Sequence, residues 1–254
     1  MSAAETLLQE FGITDPAEID LEAIAYMMGV TIRVVPLDGC EARITGNGDT
    51  AVVAINSRGT PERQRFSLGH ELGHWHFHRH RVLMCQAADI DGHGSKAKQA
   101  EKAADRFAAD LLMPRYLFNP AMRQHSKLTF KTIRALATQF GSSITAAAIR
   151  CVESKNASAI LVCHDANGRK WFRRSPDVPD RWFPQNTLDA ESPAFDLMFN
   201  GRPDDLLPQR IPAEAWFDRS EAQYYEIREQ SAHIGFGQIL TLLIIEEPKM
   251  LEER

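Results

Sequence analysis

The sequence of 254 residues predicts an α+β protein, and three observations lead to this prediction. Two short runs rich in β-branched residues, 31–36 and 50–56, are candidate strands, and a turn cluster at residues 46–49 lies between them. Helical patterns follow in the middle of the chain, and a strand-rich pattern returns near the end. We therefore expect a first domain over residues 1–154 and a strand-rich second domain over residues 155–254.

A helix that carries a five-residue motif is predicted directly after the second run. Thr60 and Pro61 are typical of a helix start, as N-cap and first helical residue. His70 and His74 are four residues apart, so both imidazoles lie on one helix face and can bind one zinc ion. Glu71 lies beside them, where it can reach a water molecule. The motif predicts a zinc-protease site, and strands followed by such a helix are the order found in zincin-like peptidases.

A second helix, predicted over residues 96–113, offers a third metal ligand. It carries Glu101 and Asp105, and two histidines with one carboxylate form a catalytic zinc set that leaves one position open for water. Asp105 can accept a hydrogen bond from the free ring N–H of a ligand histidine. Gly69 and Gly73 on the first helix allow another element to pack closely. Alone, the two acids would be read as solvated surface charges; their position after the motif helix favours the metal site.

These segments resemble the ImmA/IrrE family of metallo-endopeptidases. The resemblance extends over about residues 18–151 and depends on RFSLGHELGH at residues 65–74, on Glu101 and Asp105, and on FAADLLMP at residues 107–114. It implies a zincin-like fold and a cytoplasmic zinc peptidase that cleaves a helix-turn-helix repressor, in stress response or in the regulation of mobile elements or toxin–antitoxin pairs.

The same resemblance assigns roles to individual residues. His70, His74 and Glu101 match the metal ligands of the family, and Glu71 matches its catalytic glutamate. Asp105 stands where the family usually has Asn or Asp, next to the ligand set. Zn²⁺ is the implied cofactor, although manganese or another divalent ion stays open because geometry and availability decide the metal.

The catalytic step also needs an oxyanion donor, which the motifs do not identify. His78 lies one helical turn beyond His74 and could contact substrate; alternatively, His76, His78 and His80 simply form the polar end of the helix. A purely structural zinc site usually has four protein ligands, and Cys85 or His78 would have to supply the fourth. The candidates for substrate or oxyanion contacts are His78, Tyr116 and His125.

Two predicted helices at residues 127–140 and 144–151 resemble the middle of a helix-turn-helix motif. They could dock on DNA, or they could support the peptidase domain. The formal charge of −5 gives the chain no general attraction to nucleic acid, so we expect no direct DNA binding. The basic residues of this segment are Lys127, Lys131, Arg134 and Arg150.

Long members of the resembled family end in a GAF-like sensor domain, and the strand-rich tail is expected to be a compact version of it. Asn167-Gly168 predicts a hairpin turn there. If the metal site were not catalytic, the chain would instead be a DNA-binding or ligand-sensing transcriptional regulator with a structural metal. The longest apolar run, residues 239–245, is too short to span a membrane. Four separated cysteines without a secretory signal predict a reducing cytosol; they are Cys40, Cys85, Cys151 and Cys163.

Overall fold

The computed structural model describes residues 1–79, 83–84 and 95–252. It is a mixed α+β structure with two sheets, as the sequence predicts. The chain divides into two compact units. The first comprises Met1–Phe118 and Thr138–Ser143, and the second comprises Asn119–Ala137 and Ile144–Arg254.

The first unit contains a four-stranded sheet in the order β1-β3-β2-β4. Strand β3 pairs in parallel with β1 and antiparallel with β2, which also pairs antiparallel with β4. The described strands are β1 (Val30–Val35), β2 (Ala42–Asn47), β3 (Thr50–Asn56) and β4 (Leu83–Met84). The helices that lie wholly in this unit are α1 (Ala3–Glu10), α2 (Leu21–Met27), α3 (Pro61–His78) and α4 (Ser95–Leu112).

The turn predicted at residues 46–49 lies between β2 and β3 and is shorter than expected. Gly46 and Asn47 are the last residues of β2, so the turn consists of Gly48 and Asp49 alone. Gly48 has φ +61°, a conformation that favours glycine. The predicted start of α3 is present, because the Thr60 hydroxyl accepts a hydrogen bond from the backbone N–H of Arg63 at 3.3 Å.

The second unit contains an antiparallel five-stranded sheet in the order β6-β5-β9-β8-β7. The predicted hairpin is present and joins β5 to β6; its turn consists of Ala166 and Asn167, because Gly168 already pairs with Asp165. The strands are β5 (Ala159–Asp165), β6 (Gly168–Arg174), β7 (Gln209–Pro212), β8 (Glu226–Gly235) and β9 (Gln238–Ile244). The remaining helices are α5 (Arg115–Arg123) and α6 (Phe130–Phe140), which contribute residues to both units, and α7 (Ile144–Glu153), α8 (Pro193–Phe199) and α9 (Pro248–Leu251).

Helix α7 packs against β5 and β6 within the second unit. The second unit therefore includes α7 as well as residues 119–137, while the sequence predicts a domain boundary after residue 154. Whether residues 1–154 fold as a separate domain stays a prediction. Within the described ranges, no helix combines the length and the apolar character needed to cross a bilayer.

Candidate metal centre

Helix α3 is fixed against the first sheet by Trp75. This side chain is 1% exposed, and its indole N–H donates to the carbonyl of Met28 at 2.9 Å. The ring lies over Gly46 of β2, where an added Cβ would come within 2.4 Å of a ring carbon. Because side chains of a helix repeat every 3.6 residues, the face that carries His70 and His74 points away from the sheet.

Helix α4 crosses α3 at two glycines. A Cβ added to Gly73 would lie 3.0 Å from the Cα of Ala104, and one added to Gly69 would lie 3.3 Å from the Cα of Ala108. The two backbones therefore approach as closely as small residues allow. This crossing brings Glu101, which is 27 residues from His74 in sequence, within hydrogen-bond distance of its ring.

Three side-chain groups converge in front of the crossing. The Nε2 atoms of His70 and His74 are 3.0 Å apart. Glu101 places Oε2 3.3 Å from the first of these nitrogens and Oε1 3.2 Å from the second. Four ligand atoms held tetrahedrally at zinc bond lengths are separated by about 3.3 Å. The group could therefore hold one small metal ion.

The neighbouring charges favour the forms that bind a metal. Asp105 Oδ1 lies 2.9 Å from His70 Nδ1, and since a carboxylate can only accept, the Nδ1–H donates; in the neutral ring this places the lone pair on Nε2. Burial, followed by the charge of His70, lowers the pKa of His74, which favours its neutral form.

Glu71 lies beside these ligands and is only 5% exposed. Its Oε2 is buried and has no hydrogen-bond partner among the described residues. Burial, and then the charge of Glu101, raises the pKa of Glu71 to about 7. A buried polar atom without a partner needs a ligand, an ion or water to bind it. Together with the ligand spacing, this oxygen fits a centre at which a divalent ion and a water molecule bind.

The other predicted contacts differ in position. The Nδ1–H of His78 donates to the carbonyl of His74 at 3.2 Å, so His78 lies next to the ligand group. The hydroxyl of Tyr116 donates to the carbonyl of Ile13 at 2.8 Å and is thereby engaged. His125 is exposed and belongs to the second unit. The predictions for His80 and Cys85 lie outside the described residues.

Sequence reasoning missed the role of Gly46 and Trp75 in fixing α3. An isolated glycine in a strand often marks the close approach of another group, which is the signal that could have found Gly46. The counterpart surface on α4 is formed by Ala104 and Ala108.

The fold and the site define a mixed α+β domain with a His-His-Glu group that could hold a metal, as metallopeptidases have. Residues 28–152 match the family model of M78 peptidases, described as the IrrE N-terminal-like domain. The chain therefore contains a domain of this family, and the resemblance inferred from the motifs is confirmed.

Among solved structures, the chain is similar to a Mycobacterium tuberculosis transcriptional regulator. The TM-score is 0.59 at 15% sequence identity, and the similarity covers 98% of this chain and 88% of that chain. The likeness shows a related fold across both units. Comparison with curated protein sequences finds no match.

Proposed function

We propose that this chain is a metal-dependent endopeptidase that hydrolyses a peptide bond in a protein substrate. The observation that supports this proposal best is the buried, unpartnered Oε2 of Glu71 beside three convergent ligand atoms. A structural metal site has no use for such a carboxylate. A hydrolytic site needs it, because a general base must reach the attacking water.

Different residues would bind the metal ion and transfer the proton. His70, His74 and Glu101 would hold the ion, with Asp105 orienting His70 through the 2.9 Å contact. A bound divalent cation supplies Lewis acidity to the peptide carbonyl and lowers the pKa of water. Glu71 accepts a proton from the attacking water and then donates it to the leaving amine. A pKa of about 7 suits both transfers near neutral pH.

The proposed substrate is a cytoplasmic helix-turn-helix repressor, and the proposed metal is Zn²⁺. The substrate comes from the resemblance to the ImmA/IrrE family, which the match over residues 28–152 supports. The metal follows from the ligand set, since two imidazoles and one carboxylate with an open position are typical of catalytic zinc. Loss of the repressor would place the protein in stress response or in mobile-element or toxin–antitoxin regulation.

The test is cleavage of a purified repressor encoded beside this chain by the zinc-loaded protein. We expect two fragments whose masses define one peptide bond, and no fragments after a chelator has removed the metal. Glu101→Ala is the matched variant, because it should lose tight zinc binding and cleavage together. Cleavage that survives both the chelator and this substitution would show a contaminating protease. An intact repressor in every sample would contradict the proposed substrate.

A second candidate function is a DNA-binding regulator, which the name of the similar structure favours. The positions of two basic residues in α6 and α7 argue against DNA binding. Arg150 is 3% exposed, and Arg134 pairs with Asp204 at 3.0 Å. We expect no affinity for duplex DNA at physiological salt. Of the four basic residues in this segment, only Lys127 and Lys131 are left for phosphate contacts. A gel shift with the promoter of its own operon at sub-micromolar protein would favour the regulator.

We also propose that the sheet of the second unit is a GAF-like sensor. Counted from β5, its strand order is 2-1-5-4-3, and the proposed catalytic residues and metal ligands all lie outside this unit. A small molecule that binds only the folded chain raises its unfolding midpoint by mass action. Thermal unfolding with a panel of nucleotides, amino acids and sugar phosphates tests this, followed by repressor cleavage with any binder. A binder that leaves cleavage unchanged would contradict a sensor role.

A further inference from the structure

The closer of the two glycine contacts between α3 and α4 lies within one turn of the candidate ligands. Gly73 directly precedes His74, and Ala104 directly precedes Asp105. A Cβ on Gly73 would meet the Cα of Ala104 at 3.0 Å, the Cβ of Phe107 at 3.1 Å and the carbonyl oxygen of Ala104 at 3.2 Å. Backbone atoms and a Cβ cannot rotate away as the end of a long side chain can. A methyl group at Gly73 must therefore push the two helices apart.

Gly69 makes a milder contact one turn earlier. An added Cβ would lie 3.3 Å from both the Cα and the Cβ of Ala108. Here one of the two close atoms is a side-chain methyl group, which a second substitution can remove. Substituting each glycine by alanine therefore gives a stronger perturbation at Gly73 and a weaker one at Gly69, on the same helix face.

The ligand distances depend directly on this separation. Glu101 stands on α4, and its carboxylate oxygens lie 3.2 and 3.3 Å from the ligand nitrogens on α3. Metal sites tolerate ligand displacements of about 0.2 Å. A displacement of a few tenths of an ångström therefore matters for a small ion. The unpartnered Oε2 of Glu71 independently indicates that something binds at this point.

We propose that Gly73, and to a smaller extent Gly69, are positioning residues that set the metal affinity and selectivity of the centre. They hold α4 close enough for Glu101 to complete a compact ligand set suited to a short-bonded ion. Wider spacing lowers the affinity for Zn²⁺ more than that for Mn²⁺, because Zn²⁺ needs a compact tetrahedral set with short bonds, whereas Mn²⁺ favours an octahedral set of oxygen ligands, several of which water can supply. This inference depends on the metal centre of the proposed function and is independent of peptide cleavage.

The experiment measures Zn²⁺ and Mn²⁺ affinities of the full chain by chelator competition, together with the unfolding midpoint of the metal-free protein. Gly73→Ala should lower Zn²⁺ affinity roughly 10–100-fold, the range of residues that orient ligands. Gly69→Ala should lower it less, and both should lower the Zn²⁺/Mn²⁺ affinity ratio. Gly59→Ala is the control, since its Cβ would meet nothing closer than 3.5 Å.

A general loss of stability gives a different result. Partial unfolding weakens both metals by the same factor, because each binds only the folded chain. An unchanged Zn²⁺/Mn²⁺ ratio in Gly73→Ala would therefore overturn the proposal, as would a wild-type chain that binds no zinc.

If Gly73→Ala does not fold, the Gly69 pair decides the question. The double variant Gly69→Ala/Ala108→Gly removes one of the two 3.3 Å contacts and should recover part of the Zn²⁺ affinity lost in Gly69→Ala. No recovery would contradict the proposal. A chain that shows these metal effects but cleaves neither a repressor nor a peptide would refute the peptidase and leave the positioning role intact.

Discussion

Two buried glutamates, one in each unit, have opposite surroundings. Glu71 in the first unit has a buried Oε2 without a partner among the described residues. Glu229 in the second unit is 0% exposed and accepts hydrogen bonds from four groups. Three are short, from the Ser192 hydroxyl at 2.9 Å, the Ala194 N–H at 2.7 Å and the Trp216 indole N–H at 2.7 Å, and the fourth comes from the Ser231 hydroxyl at 3.4 Å. Burial is the largest cause of a raised pKa in both carboxyls.

The difference separates the carboxylate that we propose to be reactive from a structural one. Glu229 joins β8 to the start of α8 and to Trp216, so its oxygens are occupied and the fold depends on them. Glu71 has a free oxygen beside the ligand group and contributes little to holding the fold together. Burial alone therefore does not identify a catalytic residue. The unpaired oxygen next to metal-binding groups distinguishes the two.

The largest expected effect is on catalysis. Glu71→Gln should lower repressor cleavage roughly 10²–10⁴-fold, because it removes the general base. It should keep the metal and should not lower the free energy of unfolding, since it replaces an unsatisfied buried acid by a neutral amide. Elemental analysis and denaturant unfolding check both points. Purification without metal would make Glu71 a ligand and erase its contrast with Glu229.

The next effect is on stability. Glu229→Ala should lower the free energy of unfolding by at least about 2 kcal/mol, because it leaves several buried donors without an acceptor. Glu226→Ala is the control, as an exposed glutamate on the same strand whose loss should cost less than about 0.5 kcal/mol. Equal losses of unfolding free energy in denaturant titration would show that the Glu229 hydrogen bonds stabilise the fold no more than an exposed glutamate does.

A third prediction concerns the residue that orients a ligand. Asp105→Ala should weaken Zn²⁺ binding about 10–100-fold, because His70 loses the acceptor that fixes its tautomer. Asp105→Asn should weaken it less, since the amide oxygen can still accept this hydrogen bond. Chelator competition measures both variants. Unchanged Zn²⁺ affinity in Asp105→Ala would show that Asp105 does not contribute to metal binding.

The smallest effect is a pH dependence of stability. Because the pKa of Glu229 is raised in the folded chain, its protonated form is favoured there. Its contribution is fully present below the unfolded pKa and is lost as pH rises through the folded pKa. The stability difference between wild type and Glu229→Gln should therefore fall as the pH rises above about 4.5, by at most about 1.4 kcal/mol per pH unit. A flat difference would contradict the raised pKa.

Local patterns in the sequence were enough to predict the elements that carry the site. Thr60 and Pro61 fix where α3 begins, and helical periodicity alone places His70 and His74 on one face. The same periodicity places Glu101 and Asp105 on one face of α4. These relations depend on neighbours within one or two turns, so they can be read without knowing the fold.

Two buried residues of the second unit, Arg150 and Glu229, could not be recognised from local patterns. A charged residue such as Arg150 is expected on the solvated face of a helix. It is buried here because α7 packs on the second sheet. Glu229 gave no signal at all in the sequence. Its three closest donors come from residues 13 to 37 positions away, and only chain folding brings them together.

The sequence by itself determined which side chains can bind a metal and which helix faces carry them. Only the tertiary structure decided that the faces meet, at 3.0–3.3 Å between ligand atoms, and that Glu71 is left with an unpaired oxygen. The physical reason is that spacing along a helix is set by backbone hydrogen bonds within the element. The approach of two helices is set by the packing of distant residues, here Gly73 against Ala104.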